Sequence, residues 1–494
     1  MSTETVKSAA KAPQTASARP LAVDLDGTLF RGDLFFEAIL RMVFASPFNI
    51  FTLLGWLLRG RAYAKARIFE RFTFDPATLP YDQRILQWLK DERARGRRVV
   101  LATASDRRAA EAVAGHLGLF DAVFASDGAV NLKSARKGAR LAEAFPDGFV
   151  YAGNDDADLK VWRRAAGAVV VNASRALAAK VKQNFTVERA FERETNSARG
   201  LLKAIRPQQW SKNLLVFVPM IAGHGWVDPQ AWANAFVAFW ALSLTASAVY
   251  LVNDASDIDA DRKHPRKRKR PFASGDLAPA WGLAWSAALA AAGIGLSVIG
   301  GVLLMTLVYV VATSIYTFRI KRMALLDVFL LAGLYTIRIV LGGVATGFFP
   351  SDWLLAFSCF FFLSLALVKR VAETQDLAAR GGGEIMRRGY ASDDTHILTT
   401  MGVSAGFIAA LVLALYLQDD ASSVLYREPF LLWGLPAACL LLICRFWLKA
   451  SRGEMHDDPI VFAAKDRWSW VVAALAGACL AGATLLQFDL FPNR

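Results

Sequence analysis

Residues 250–275 read YLVNDASDIDADRKHPRKRKRPFASG, and this stretch decides how the larger part of the chain is read. It begins at the end of a long apolar run. Asn253, Asp257 and Asp261 are spaced four residues apart, so a helix would set them on one face, with Asp254 three before Asp257. Carboxylates gathered at a membrane edge repel one another and are costly to desolvate. Divalent cations would neutralise them. Hard oxygen ligands of this kind suit Mg²⁺, which commonly bridges protein carboxylates to phosphates. The basic run from Arg262 to Arg270 follows at once, offering Lys267 and Arg270 as contacts. Together these features predict a site for a phosphorylated substrate.

The 494-residue chain is 55% hydrophobic yet carries a net charge of +14, and its mean hydropathy is +0.32. A soluble protein rarely combines these, and the asymmetry along the chain resolves the conflict. Roughly the first 200 residues are charged and α/β in pattern, and the rest is a series of apolar runs between short charged loops. Cys359, Cys439, Cys444 and Cys479 all lie in apolar runs and read as small core residues rather than disulfides or metal ligands. Beside many membrane spans, the basic excess is better explained by the positive-inside bias than by nucleic acid. Residues 1–19 have no apolar signal core and read as a disordered tail that starts in the cytoplasm.

Apolar runs lie near 213–224, 231–252, 281–298, 301–318, 324–345, 353–371, 396–417, 430–448 and 469–488. By the length needed to cross a bilayer they predict about nine helices, the first short enough to be re-entrant. Four loops hold the cations: Arg262 to Arg270; Arg319, Lys321 and Arg322; Lys369, Arg370, Arg380, Arg387 and Arg388; and Lys449, Arg452, Lys465 and Arg467. Among Lys and Arg, the alternate loops hold only Arg427. This bias predicts a multi-pass protein of the inner (cytoplasmic) membrane. Its charged loops and soluble half would face the cytoplasm, and its C-terminus would lie outside.

The soluble part, about residues 20–195, begins with a buried strand, Leu21 to Val23, that runs into Asp24-Leu25-Asp26-Gly27-Thr28. Two acids, a Gly and a hydroxyl at a strand's C-terminal end stand where open α/β sheets place their chemistry. A second strand, from Arg98 to Ala102, ends in Thr103-Ala104-Ser105-Asp106. Lys133 and Lys137 follow, and another strand, Gly148 to Ala152, ends in Gly153-Asn154-Asp155-Asp156-Ala157-Asp158. The β-branched run Val169 to Val171 suggests one more buried strand.

This ordered set resembles the haloacid dehalogenase (HAD) superfamily of phosphatases over about residues 20–175. The resemblance implies an α/β Rossmannoid fold with Asp24 as the nucleophile that forms an aspartyl-phosphate and Asp26 as the general acid/base. Thr103 would bind the phosphate, and Lys137, or less readily Lys133, would screen its charge. Asp24 and Asp26, with Asn154, Asp155 and Asp158, would hold Mg²⁺. The family commonly has Gly-Asp where this chain has Gly153-Asn154, which leaves the ligand set open and allows a HAD fold kept only as a scaffold or regulator. The insert, about residues 31–97, is helical in pattern and reads as a cap. Its apolar part is broken at Ser46-Pro47 into two short helices and is followed by Arg59, Arg61, Lys65 and Arg67. It would either touch the bilayer surface or a lipid chain, or be a buried cap helix.

Residues 196–205 read as a linker and 206–494 as an all-α membrane domain. There, Asn253-Asp254-x-x-Asp257-x-x-x-Asp261, extended by His264-Pro265 and Arg270-Pro271-Phe272-Ala273-Ser274-Gly275, resembles the first acidic motif of the UbiA superfamily of intramembrane prenyltransferases. The family usually carries a second motif, DxxxD, on a later helix. Here the corresponding helix end reads Lys369-Arg370-Val371-Ala372-Glu373-Thr374-Gln375-Asp376. That departure resembles the branch that makes polyprenylphosphoryl-5-phosphoribose from phosphoribosyl pyrophosphate (PRPP) and a polyprenyl phosphate. Further elements look like the same branch: Arg206-Pro207-x-Gln209-Trp210-x-Lys212-Asn213, Tyr316-x-x-x-x-Lys321, Asp327 with Arg338 and Gly342-Gly343, and Asp457-Asp458-Pro459 with Lys465-Asp466-Arg467. The resemblance implies Mg²⁺ on the pyrophosphate at Asp254, Asp257 and Asp261. It implies substrate contacts from Lys212, Asn213, Asn253, Tyr316, Lys321, Arg338, Lys369, Arg370 and Glu373. Arg338 lies inside an apolar helix; it is either functional or a structural charge paired with Asp327 or Glu373.

These readings predict a fused enzyme. One half would transfer phosphoribose to a polyprenyl phosphate for cell-envelope glycan or glycolipid synthesis, and the other would remove the 5-phosphate. Two alternatives stay open: prenyl transfer from a polyprenyl diphosphate to a small aromatic acceptor, and a non-catalytic lipid-binding membrane protein.

Overall fold

The structure, a computed structural model, describes residues 19–194, 197–378, 389–419, 425–455 and 458–486. Residues 1–18 of the expected tail, together with Arg380, Arg387, Arg388 and Asp457, lie outside the described residues. The chain divides into two units, one of Met1–Ala204 with Asp254–Leu283, the other of Ile205–Asn253 with Ala284–Arg494.

The first unit is built on six parallel strands: β1 (Leu21–Val23), β2 (Val99–Asp106), β3 (Ala122–Ser126), β4 (Val150–Gly153), β5 (Gly167–Val171) and β6 (Val187–Phe191), in the order β3-β2-β1-β4-β5-β6. Parallel strands buried on both faces read as continuous apolar runs, as Leu21 to Val23 and Val169 to Val171 do. Successive side chains alternate between faces. Thus Leu21, Val23, Val99, Leu101, Val169 and Val171 enter one core, and Ala22, Val100, Ala102, Tyr151 and Val170 enter the other. The strand order reverses at β1, so the C-terminal ends of β1 and β4 flank the switch point where such sheets bind ligands. The sheet is compatible with a HAD-like domain. The edge strands β3 and β6 were not expected from the sequence.

The segment between β1 and β2 is helical, as expected. It holds α1 (Leu34–Ala45), α2 (Asn49–Leu58), α3 (Arg61–Arg71) and α4 (Gln83–Ala94). Asp33 caps α1 by accepting from the Phe36 N–H, and the chain breaks at Ser46-Pro47. Of α2, only Leu53 is buried, while Phe48, Phe51, Leu54 and Leu58 are exposed. α2 is therefore not a buried cap helix within its unit. Residues Ser197–Ile205, read as a linker, form a helix.

The chain is a multi-pass membrane protein. Eight helices among the described residues are long and apolar enough to cross a bilayer, where about nine were expected. The difference lies in the first run. Pro207–Phe217 is a 3₁₀ stretch and only Val218–Ala222 is α-helical. Pro219 supplies no N–H donor there, and His224 adopts a left-handed conformation at φ 58° just beyond. Helices Leu326–Thr346, Asp352–Ala378 and Gly434–Ser451 share a core that includes Tyr335, Ile339, Leu367, Val368 and Trp447. The cysteine reading holds only for buried Cys439. Cys359 and Cys444 are exposed on apolar helices, Cys479 is half-buried, and all four are free thiols. A thiol behaves as a small hydrophobe and suits an outward apolar face as well as a core.

The acidic stretch does not form one continuous helical face. Helix Pro229–Ser256 ends at Asp257, which has φ −102° and ψ 8°, and a short helix, Ile258–Lys263, starts after it.

Candidate active sites

In the first unit, Asp24 follows β1, and its carboxylate Oδ1 accepts from the Leu25 N–H at 2.9 Å. Lys137 Nζ lies 2.9 Å from the same oxygen. Lys137 is buried and Lys133 exposed, so the geometry places Lys137 beside the nucleophile candidate. Lys137 donates to the Tyr151 hydroxyl at 2.7 Å, which in turn donates to Asp158 Oδ1 at 2.8 Å. Asp158 Oδ2 accepts the N–H groups of Asn154 and Asp155 at 3.0 and 3.1 Å. Oδ2 therefore holds the loop after β4, while Oδ1 is held by Tyr151 of β4 itself. Asp155 accepts from the Ala157 N–H.

Asp26 uses both oxygens as well. Oδ1 accepts the Leu34 N–H at 2.9 Å, at the start of α1, and Oδ2 accepts the Ser105 hydroxyl at 2.5 Å. Ser105 in turn donates its N–H to the hydroxyl of buried Thr103. Burial pushes the Asp24 carboxyl up to about 6, against the pull of Lys137. Burial, then the charge of Asp33, pushes Asp26 up to about 7. Asp26 is thereby poised to exchange a proton near neutrality. Burial leads the causes lowering Lys65, a buried cap residue that donates to the Ala104 carbonyl.

Thr28 donates to Asn154 Oδ1 at 3.1 Å, so this amide oxygen faces the Asp24–Thr28 turn. At Gly27, φ +74°, a Cβ would strike the Asn154 amide, so the close approach requires glycine. No three His, Cys, Asp or Glu side chains form a ready metal cage among the described residues. Mg²⁺ is commonly held by one or two protein groups plus substrate phosphate and water. Asp24 and Asn154 fit that demand.

From Asp254 onward the acidic motif lies in the same unit. Arg270 bridges it, with Nη1 3.1 Å from Asp254 and 2.8 Å from Asp261. Both carboxylates are buried, and burial leads the causes raising Asp261. One guanidinium thus stands where two carboxylates converge, and the pair fits a divalent cation. Lys267 sits in the Lys267–Lys269 turn.

In the second unit, Lys212 Nζ lies 2.7 Å from Asp458 Oδ2, with Lys369 3.2 Å from the same oxygen and Tyr335 donating to the carboxylate. Arg338 is buried. It donates to Asn213 Oδ1 at 2.9 Å, to Tyr309 at 3.2 Å and to the Leu334 carbonyl. It makes no ion pair with the expected partners: Asp327 instead binds Arg370 at 2.6 Å. Arg370 also meets Glu373 at 2.5 Å and donates to Tyr316 at 2.9 Å. Its side chain is 0% exposed, as is that of Asp327. Arg370, Asp327, Glu373 and Tyr316 therefore form one network, while Lys212 and Lys369 share the acid Asp458 and Arg338 donates to Asn213 and Tyr309. Asn253 donates to Thr317, and Lys321 sits in the turn Ile320–Arg322. Sequence reasoning left Ser105, Tyr151 and Asp458 off the site. The Asp-Pro helix start at Asp458, whose carboxylate accepts from Ile460 N–H, was the signal for the last.

Residues 214–470 match the UbiA prenyltransferase family. The chain is 36% identical over 460 residues to an uncharacterized protein of Sinorhizobium fredii, y4nM, covering 92% of this chain and 89% of that one. It is 34% identical to the nodulation protein NoeC of Azorhizobium caulinodans over 54% of this chain and 88% of the relative. It is 38% identical to the decaprenyl-phosphate phosphoribosyltransferase of Mycolicibacterium smegmatis over 42% of this chain and 68% of the relative.

Proposed function

Because the chain belongs to the UbiA prenyltransferase family, we propose that this membrane transferase moves 5-phosphoribose from PRPP to a polyprenyl phosphate. We propose further that its first unit is a phosphatase acting on the product. The observation that carries the donor is the second unit's cationic set. Where the family commonly has a second acidic motif, this chain has Lys369-Arg370, and Lys369 shares Asp458 with Lys212 while Arg338 is buried and donates to Asn213, Tyr309 and the Leu334 carbonyl. Such groups suit an additional phosphate rather than a second metal-held diphosphate. The 38% identity to a decaprenyl-phosphate phosphoribosyltransferase supports the same branch.

In the transfer, a phosphate oxygen of the lipid forms a bond to ribose C1 as the C1–pyrophosphate bond breaks, and pyrophosphate leaves. Mg²⁺, when bound at Asp254, Asp257 and Asp261, supplies charge stabilisation of that leaving group. Asp254 and Asp261 orient toward one point, where Arg270 reaches both. In the phosphatase, Asp24 attacks the 5-phosphate phosphorus and Asp26 protonates the leaving ribose oxygen. Asp26 then takes a proton from the water that releases inorganic phosphate. Lys137 holds charge on Asp24 and the phosphoryl group, with Thr103 as the phosphate contact. Mg²⁺ at Asp24 and Asn154 would add to this. We place both activities on the cytoplasmic side of the inner membrane, from the positive-inside bias.

Purified full-length protein incubated with Mg²⁺, PRPP and polyprenyl phosphate should release pyrophosphate and form a lipid-linked pentose. Prenylation of an aromatic acid from a polyprenyl diphosphate, with no lipid-linked pentose, would replace this reading.

A further inference from the structure

Glu37 and Arg262 are 225 residues apart in sequence and form a two-bond ion pair inside the first unit, with Nη1 and Nη2 each 2.8 Å from a carboxylate oxygen. Their side chains are 3% and 2% exposed. Arg262 also donates to the Ala273 carbonyl and lies over the Phe30 ring. One helical turn along α1, Arg41 grips Asp259 through Nε at 2.6 Å and Nη2 at 2.7 Å. Glu37 and Arg41 are themselves 3.8 Å apart, so the four charges form one network. The chain also approaches at Gly275, φ +75°, where a Cβ would collide with the Arg31 carbonyl.

We infer that Glu37 and Arg41 are positioning residues for the acidic motif, acting through Arg262 and Asp259. The two gripped residues bracket Asp261: Asp259 lies two before it and Arg262 one after. Asp261 has its own N–H on the Asp257 carbonyl at 2.8 Å. Fixing both neighbours fixes the backbone from which the Asp261 carboxylate reaches Arg270, beyond the break in the helix at Asp257. Bidentate guanidinium–carboxylate pairs impose direction as well as charge. α1 is anchored at its other end, where the Leu34 N–H binds Asp26. The helix that aims the transferase's metal-holding residue therefore stands on the acid/base candidate of the phosphatase.

This inference rests on the transferase reading, and the test separates the two. Full-length Glu37→Gln, Glu37→Asp and Arg41→Met proteins are compared with wild type in detergent. Two readouts are taken: pyrophosphate release from PRPP against Mg²⁺ concentration, and the rate of tryptic cleavage within residues 262–270 without substrate. Misplacing a reacting group by about 1 Å can cost on the order of 100-fold. Glu37→Gln is expected to lower kcat by roughly 10- to 100-fold, to raise the Mg²⁺ requirement and to speed cleavage. Glu37→Asp, which keeps the charge, should fall between. Wild-type kcat, Mg²⁺ dependence and cleavage rate in Glu37→Gln would overturn the inference; if that protein does not fold, the same result in Arg41→Met does so. Should wild type release no pyrophosphate from PRPP, the donor reading fails, while the cleavage comparison still decides whether α1 holds the loop.

Discussion

Lys137 stands between two carboxylates, 2.9 Å from Asp24 and 3.9 Å from Asp158, and hydrogen-bonds to the Tyr151 hydroxyl that separates it from the second. On the proposed phosphatase reading, a cation so held faces the point where charge would develop on a transferred phosphoryl group. Removing one such preorganised group costs on the order of 100- to 1,000-fold in kcat. Lys137→Ala should therefore abolish most hydrolysis of 4-nitrophenyl phosphate, and Lys133→Ala should leave it within a factor of about 2, since Lys133 is exposed. Equal losses in the two would remove Lys137 from its role.

Arg338 and Arg370 should separate by assay. Arg370 is fully buried against Asp327, and breaking a buried pair costs about 3–5 kcal/mol. Arg370→Ala should lower the melting temperature and the yield of monodisperse protein. Arg338→Lys keeps a positive charge without the fork that reaches Asn213 and Tyr309. It should fold with a melting temperature near that of wild type and lose at least about tenfold in transfer. Melting curves with pyrophosphate-release assays check both.

Acid should weaken the first unit through Asp82. Burial pushes this carboxyl up, but hydrogen bonds from Arg84 and Asn172 and the charge of Arg31 outweigh it and hold it well below the usual carboxylate range. Its folded pKa lies below the unfolded one, so its contribution is complete above about pH 4 and is lost as pH falls further. Asp82→Asn should lower stability at pH 7 and flatten the acid limb between about pH 4 and pH 2. Melting of the full chain across that range measures it; parallel wild-type and variant curves would exclude Asp82.

The α2 surface should meet lipid. Phe48, Phe51, Leu54 and Leu58 are exposed beside Arg59, Arg61, Arg67 and Arg71, and an apolar face flanked by cations suits an anionic bilayer surface. A spin label at Leu54→Cys in a cysteine-free background should be more accessible to oxygen than to a water-soluble nickel complex in anionic vesicles. The reverse order would place α2 in water.

Much of the first unit was legible because its strands are short apolar runs ending in chemistry-bearing turns, as at Val23-Asp24. β3 and β6 were not. Both are edge strands, and β6 buries only Phe191, so it lacks a continuous apolar signature. The same composition that announced Lys369 and Arg370 as one cationic pair hid their division, because Arg370 is claimed by Asp327, 43 residues away. Of the acids grouped by helical spacing, Asp254 and Asp261 meet at Arg270, although the helix that was to align them breaks at Asp257. The turn at Asp257 was not legible, since nothing in the local residues announces where the helix stops.

The strand passes out of its first unit at Ala204 and comes back into it at Asp254. Chains of two units are commonly pictured as beads on a connecting thread. Here residues 1–204 produced alone would leave Glu37 without its buried counter-charge Arg262, and Arg31 without Gly275. The first unit is thus discontinuous in sequence, and residues 1–204 alone do not complete it.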